Sequence, residues 1–412
     1  MDEIYKFVII LSFVCFSCND DVLDGVYQTN TELSDCYKPT IDDINNVIAN
    51  FKSHTETRSS HYTITNISSF RNTDMTRTSD GCCIDDVIYA VNVDSTETFF
   101  IAGDKRANAV YAVVNGNLSF DNNAISKDAP NGFLLMLENA ITDIKMKSRY
   151  KSVVNPDWVT SVEIRQFGHG WVFSQPKCEV EWDQKEPFNN MCPLYKDDKC
   201  KYVKSAAGCV PIAAMQVLTY LWDHNNNEFN GYKLRSSWDR ICKRWSSHLF
   251  VTNSDEAIDV ANLSINIGRS IGTKYGKESA TINVDVVADL IKKQSNGKID
   301  YTVSTKLSDV RQNLTMNGIT ILEAYAKRLH PTLFRRTTYQ EGHAMIIDGE
   351  MMIGDRNEMN FYFHINYGWG PMYNGYFLNS TVIPDGHEDT QWMETKDVYP
   401  YHNRFFNFQK IP

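Results

Sequence analysis

The stretch AAGCVPIAAMQVLTYLW, residues 206–222, decides how the rest of the chain is read. From Val210 to Trp222 it predicts a strong apolar helix. Gly208 and Cys209 stand at its start. Glycine there permits an unusual backbone and a close approach. Pro211 is tolerated because the first-turn N–H groups of a helix lack intrahelical partners. A helix amino terminus carries partial positive charge, which favours a thiolate over a thiol. Cys209 therefore has the setting that a nucleophile needs. Taken alone, it reads instead as a small hydrophobe beside Ala206, Ala207, Ala213 and Ala214.

A second cluster reverses that balance. EGHAMIIDG (341–349) puts His343 directly before a strand, with Gly342 clearing space beside it. FYFHINYGWGPMYNGYF (361–377) gives a strand ending in Asn366, followed by Tyr367-Gly368-Trp369-Gly370. A Cys on a helix start, then a distant His, then a polar or aromatic group on the next strand follow the order of a papain-type site. His343 would take the thiol proton, and a third group would orient its ring. His364 is the rival base. It alternates with Phe363 and Ile365 inside a strand and has no glycine beside it, so it reads as packing.

With these motifs in this order, the chain resembles the streptopain family of cysteine peptidases. AAGCVPIAAMQVL is similar to that family's nucleophile helix, EGHAMIIDG to its general-base segment, and HINYGWGPMYNGYF to the strand pair that follows. WDQKEPFNNMCP (182–193) resembles its lead-in, and YGKESA (275–280) one of its loops. FFIAGDKRANAVYAVVNGNLSF (99–120) is similar to part of the family's pro-domain. The resemblance implies a papain-like α+β catalytic domain behind a small α+β pro-domain that blocks the cleft before maturation. It implies Cys209 as nucleophile and His343 as general base, with no cofactor and no metal. The backbone N–H of Cys209 would form part of an oxyanion hole, and the Gln184 amide is a candidate second donor. An ordinary loop glutamine is the other reading of Gln184. Asn366 is the chemically natural orienter of His343, with the neighbouring aromatics as the alternative. Trp369 would shield that contact from water, and Ser279 and Gly342 match positions that line the substrate cleft. Pro211, Ile212, Glu341, Tyr367 and Pro371 depart from the family pattern. Glu341 adds a negative charge beside the base, which tends to raise the pKa of His343.

Outward from the site, the texture of the chain divides it. Helix signals recur at 255–271 and 284–293, and strands at 319–324, 343–348, 360–366 and 375–378. Helices early and strands late suit α+β rather than alternating α/β. Upstream, VIYAVNV (87–93), TFFIAG (98–103) and AVYAVV (109–114) read as an antiparallel meander. Pro130-Asn131-Gly132 then opens a helix with Phe133, Leu134, Leu137, Ile141 and Ile144 at helical spacing. The divisions are residues 1–17 as a lipoprotein signal peptide, 18–81 as tether and start of the pro-region, 82–150 as the inhibitory pro-domain, 151–177 as linker, and 178–412 as the peptidase domain. One helix is expected around Ile41 to Phe51.

The signal reading rests on FVIILSFVCF (7–16), too short for a membrane span of roughly 20 residues. It is followed by Ser17-Cys18 and resembles the lipobox of bacterial lipoproteins, which makes Cys18 the lipidation site. The acidic residues after Cys18 resemble the surface-export signals of Bacteroidetes lipoproteins. The expected location is outside the cytoplasm, anchored by lipid to the outer membrane or cell surface, with plain secretion as the alternative. The remaining cysteines lie too far apart for a dense disulfide framework. Cys178, Cys192 and Cys200 have no His at zinc-ligand spacing and leave room for one disulfide among them. The formal net charge of -10 repels phosphate backbones and excludes nucleic acid as partner.

The expected function is a lipid-anchored cysteine endopeptidase made as a zymogen. It would act on protein or peptide substrates through an acyl-enzyme intermediate, with its own pro-domain and the membrane as further partners. The alternatives are a catalytically silent surface lipoprotein that binds protein with the same cleft, and a Cys–His amidase or acyltransferase. Fold alone does not separate these.

Overall fold

The computed structural model describes residues 37–55, 61–72, 85–126, 128–159, 171–276, 284–329, 338–354, 359–383 and 402–411. The amino-terminal part comprises helix α1 (Ile41–Thr55), strands β1 (Ile64–Arg71), β2 (Asp86–Val93), β3 (Glu97–Ala102) and β4 (Val110–Asn115), and helix α2 (Asn131–Tyr150). Strand β5 (Trp171–Ser174) follows, then two short hairpins, β6 (Leu194–Lys196) with β7 (Tyr202–Lys204) and β8 (Glu228–Phe229) with β9 (Tyr232–Lys233). Helix α3 (Cys209–Leu221) lies between the hairpins. Helices α4 (Trp238–Cys242), α5 (Asp255–Ser270) and α6 (Val284–Gln294) precede strand β10 (Ile299–Ser304), helix α7 (Leu307–Thr315) and strands β11 (Ile319–Leu329), β12 (Thr338–Gly354), β13 (Met359–Asn366) and β14 (Gly375–Leu378). Helix α8 (Asn379–Val382) and strand β15 (His402–Lys410) complete the described chain.

Local chemistry explains the amino-terminal elements. Thr40 and Asp43 cap α1 reciprocally: the Asp43 N–H donates to Thr40 Oγ1 at 3.2 Å, and the Thr40 N–H donates to the Asp43 carboxylate at 2.8 Å. The β-branched and aromatic runs from 87 to 114 form the expected meander. From Val87 to Val93 every residue of β2 is buried, so both faces of the meander are covered. Successive strand residues point to opposite faces. Phe99 packs on Phe51 of α1 with ring centroids 5.5 Å apart, whereas its neighbour Phe100 packs on Phe133 of α2 at 5.8 Å. The two helices therefore lie on opposite sides of the meander.

The meander is not a separate sheet. β4 pairs with β14, and one antiparallel sheet of eleven strands runs β1-β2-β3-β4-β14-β13-β12-β11-β15-β10, with β5 paired to β12. β11 borders β12 as far as Ile347, and β5 continues that edge at Glu350–Met352. One apolar core joins α1, α2 and β2–β4 to residues of β12–β14. The other surrounds α3, which is buried along nearly its whole length and packs against β11, β12, α5 and α6. An apolar run such as 210–222 is stable as a helix only where it is enclosed on all sides.

Three features lay outside the sequence expectation. Helix α1 agrees with the helix expected around Ile41 to Phe51, but strand β1, which packs partly buried against the same core, has no counterpart in the expectation. Strands β10 and β15 extend the far edge of the sheet. The stretch expected as linker carries β5 and a 3-10 turn, Pro156–Trp158, whose Trp158 is buried and donates from Nε1 to the Ala107 carbonyl at 2.9 Å. Among the described residues, no helix is long and apolar enough to cross a membrane.

Phe133 ties α2 to the sheet beyond the meander. Its ring meets Tyr373 at 5.0 Å, Tyr367 at 6.1 Å and Phe377 at 6.2 Å. Phe133→Ala, introduced into a Cys209→Ala chain, is expected to cost about 3–5 kcal/mol, the usual range for emptying a packed aromatic site. Urea unfolding followed by tryptophan fluorescence measures it. A loss below about 1 kcal/mol would mean that this ring does not couple the two parts.

Candidate active site

Cys209 is the first residue of α3, and Gly208 before it takes φ 100°, a conformation that side-chain-bearing residues rarely adopt. That backbone turn lets the chain leave the buried Ser205–Ala207 segment and enter the helix at once. His343 lies on β12 opposite Ala324 of β11. The two elements meet at the thiol: the Ala344 N–H donates to Cys209 Sγ at 3.4 Å. Burial around the Cys209 thiol would by itself push its pKa up. The charge of His343 and its hydrogen bond to the thiol, with the N–H groups of Ala344 and Val210, override burial and hold the thiol below its ordinary range. His343 mirrors this. Burial would lower its pKa, but the charge and hydrogen bond of Cys209 and the carbonyl of Tyr367 raise it. Both shifts favour a thiolate–imidazolium pair.

Gln184 comes from the lead-in segment, outside any helix or strand. Its backbone carbonyl accepts from the Ala207 N–H at 2.9 Å, two residues before Cys209. The residue is 5% exposed, and its Nε2 has no hydrogen-bond partner among the described residues. A buried amide donor without an acceptor is costly and uncommon. The backbone bond to Ala207 holds this amide close to the start of α3.

Asn366 is placed differently from the expectation. Its Nδ2 donates to the Val180 carbonyl at 2.9 Å, and its Oδ1 accepts from Gln216 Nε2 at 2.8 Å and from the Gly368 N–H at 3.0 Å. No contact of its side chain reaches His343. The partner of His343 Nε2 is the backbone carbonyl of Tyr367, 3.2 Å away. The Tyr367 ring lies tilted near the imidazole, with centroids 6.2 Å apart. The orienter is thus a main-chain oxygen, which no side-chain pattern announces.

His364 is more than packing. Its Nδ1 meets the fully buried Asp348 carboxylate at 2.6 Å, and its ring stacks edge-on with Tyr376. The other Asp348 oxygen accepts from the Cys178 N–H at 2.9 Å. His364 is committed to that pair. Gly342 is exposed beside His343. Trp369 is partly buried and donates from Nε1 to the Asp128 carbonyl at 3.0 Å, reaching into the amino-terminal part. Ser279 and Cys18 lie outside the described residues, as does the side chain of Glu341. Cys178, Cys192 and Cys200 are all free thiols, so the disulfide considered among them is absent. The Cys178 sulfur faces the carbonyls of Val180 and Gln216 rather than another sulfur.

A residue read only as part of a helix opener also belongs here. Gly132, in the first turn of α2, has no room for a side chain. A Cβ built on it would lie 2.8 Å from His343 Cδ2 and 2.7 Å from Met345 Cε. The amino-terminal part therefore rests directly on the imidazole.

Residues 182–377 match the sequence model of the Peptidase C10 family. That segment holds both Cys209 and His343, and its match supports the resemblance to streptopain-like cysteine peptidases. Streptopain of Streptococcus pyogenes serotype M28 is 22% identical over 331 residues, covering 72% of this chain and 75% of that protein. Streptopain of serotype M1 matches to the same extent, 22% over 331 residues. Among solved structures, a fragment of Prevotella intermedia prointerpain A superposes with a TM-score of 0.50 at 16% identity, covering 83% of this chain and 97% of that one. This streptopain-like chain accordingly has the α+β, papain-like fold with an additional amino-terminal part.

The pH behaviour of the thiol follows from the two shifts. A depressed thiol pKa keeps Cys209 ionised below the ordinary thiol value of about 8.5. Iodoacetamide alkylation of Cys209, mapped by mass spectrometry, should therefore persist well below that pH. His343→Ala removes the leading stabiliser and should move the acid limb upward. An unchanged limb would mean that His343 does not hold the thiolate.

Proposed function

We propose that this chain is a cysteine endopeptidase made as a latent precursor and held outside the cytoplasm by a lipid on Cys18. The observation that carries the peptidase reading is the Cys209–His343 pair, with thiol pKa depressed and imidazole pKa raised. In the proposed reaction the Cys209 thiolate attacks the carbonyl carbon of a peptide bond. The oxygen becomes an oxyanion facing the Cys209 N–H and Gln184 Nε2, a role that the unpaired Gln184 amide supports. As the C–N bond breaks, the His343 imidazolium gives its proton to the departing amine. A water then attacks the thioester, His343 takes its proton, and the C–S bond breaks to release the acid and restore the thiolate. The Tyr367 carbonyl keeps the imidazole turned toward the sulfur throughout.

Latency is supported by the position of α2. Its first turn abuts His343 through Gly132, and the Asp128 carbonyl engages Trp369. A polypeptide substrate would compete with this segment for the same space. An inhibitory segment in the same chain acts at high effective concentration, so modest intrinsic affinity suffices. The name of the solved neighbour, prointerpain A, agrees with a peptidase made as a precursor. The lipid anchor rests on the sequence alone, on the short apolar run that ends in Ser17-Cys18.

Cys209→Ala should abolish casein cleavage and self-processing in reducing buffer, and Cys242→Ala should abolish neither. Wild-type cleavage by the Cys209 variant would sink the assignment. In the same assay Gly132→Ala should shorten latency severalfold, because its methyl group cannot fit against His343. The processed product should then match wild type, since residue 132 would no longer be attached. Unaltered latency would separate α2 from inhibition.

Detergent-phase partitioning tests the anchor. Wild type should enter the detergent phase, and Cys18→Ala should stay aqueous. Equal aqueous partitioning of the two would indicate plain secretion.

A further inference from the structure

We propose that Gln216 is a positioning residue that fixes the catalytic imidazole through Asn366 and a single peptide group. The oxygen bound to His343 Nε2 is the carbonyl of Tyr367. That carbonyl and the Gly368 N–H belong to one planar peptide, so fixing the N–H fixes the direction of the C=O. The Gly368 N–H donates to Asn366 Oδ1 at 3.0 Å. The same Oδ1 accepts from Gln216 Nε2 at 2.8 Å, while Asn366 Nδ2 donates to the Val180 carbonyl at 2.9 Å. Asn366 can present its oxygen to Gly368 only in this orientation, and Gln216 is the side chain that selects it.

Gln216 stands seven residues after Cys209 on α3, about two turns along the same face of the helix. Its contact closes a ring: thiol, helix, Gln216, Asn366, the Tyr367–Gly368 peptide, imidazole and back to the thiol. Gln216 is 0% exposed and Asn366 1%. Water therefore cannot replace a lost donor without entering the core. The geometry also carries a cost that packing alone would not require, because Gln216 Oε1 is buried without a hydrogen-bond partner among the described residues. The turn is secured from its far end by Asn374, whose Oδ1 accepts from the Tyr367 N–H at 3.0 Å. Gln216 supplies a hydrogen bond between this turn and the helix that bears the nucleophile, beside the apolar approach of Gly368 to Ile212.

Two variants of the full chain test this. Gln216→Met keeps the length of the side chain and cannot donate. Gln216→Leu is apolar like its surroundings and has no donor at any pH. Either should let the Tyr367 carbonyl drift from His343. The imidazolium then loses its acceptor, and the acid limb of Cys209 alkylation by iodoacetamide moves up toward the ordinary thiol range near about pH 8.5. After self-processing, kcat on a peptide substrate should fall about ten- to a hundredfold with KM little changed, as for a small misplacement of a reacting group. A merely structural glutamine would lower the melting temperature and leave the limb in place. If the Met variant does not fold by circular dichroism, the Leu variant carries the test. An unmoved limb in a folded variant overturns the proposal. The turnover arm rests on the peptidase reading, but alkylation does not. A protein inert toward peptides whose limb still shifts would retire that reading and leave Gln216 in its role.

Discussion

A thiolate at a helix start and an imidazolium on a neighbouring strand stabilise each other only while helix and strand stay pressed together. Cys209 sits on α3 and His343 on β12, 134 residues apart in sequence. The residue after the base, Ala344, donates its N–H to the sulfur, so the strand backbone itself forms part of the thiolate's environment. Everything that keeps α3 on β12 therefore acts on the chemistry. The apolar enclosure of α3 is the largest such contribution: Ile212, Ala213, Met215 and Val217 are almost wholly removed from water. At roughly 25 cal/mol per Å² of apolar surface, burial of this kind outweighs any single polar contact at the site. Polar contacts then do what burial cannot, which is to choose a direction for the imidazole.

The continuous sheet gives the amino-terminal part an unusual hold on the site. β4 pairs with β14, which leads through β13 to β12. Phe133 meanwhile packs against Tyr367, the residue whose carbonyl bonds His343. The amino-terminal part thus reaches the imidazole by Gly132 from above and by Tyr367 from behind. If it is removed on maturation, β14 becomes an edge strand, and Phe133 no longer backs the Tyr367 ring. Edge strands invite new pairing, so the mature form would have to manage an edge that the precursor hides. The structure therefore makes the amino-terminal part a support for the base as well as an obstacle in front of it.

Much of the site was legible because its chemistry depends on side chains in recognisable local settings. Gly208-Cys209 before an apolar helix and Gly342-His343 before a strand carry their own physical signals. Gln184 was legible only as a possibility, and what distinguishes it is its unpaired Nε2, a fact of three-dimensional burial. The Tyr367 carbonyl could not be read at all, since every residue has one. Asn366 was read as the orienter because its side chain suits that task, and it does act nearby, on the peptide instead of on the ring. In the fold, β2–β4 and α3 followed from periodicity. Strand β1 did not, because ITNISSFR (64–71) has too few apolar residues to mark a core strand. Its half-buried pattern reflects an edge position that pairing with β2 confers.

The departures from the family pattern fit the same division of labour. Pro211 lacks an N–H, and the first turn of a helix has donors to spare. The Val210 N–H helps to hold the thiolate, and the Ile212 N–H already reaches the Gly208 carbonyl at 3.3 Å. Proline at 211 removes a donor that neither the sulfur nor the helix uses. It leaves the Cys209 N–H as the main-chain donor proposed for the oxyanion. Tyr367 is the converse case. Its hydroxyl is buried with no hydrogen-bond partner among the described residues, at a cost of about 1–3 kcal/mol for such a group. The phenol oxygen therefore contributes nothing that would favour tyrosine. What this position supplies is a ring wedged between His343, Phe133 and Phe377, and a carbonyl aimed at the base. Any large aromatic ring could fill the first role, and any residue could fill the second. That is why the position tolerates a departure from the pattern while the dyad does not.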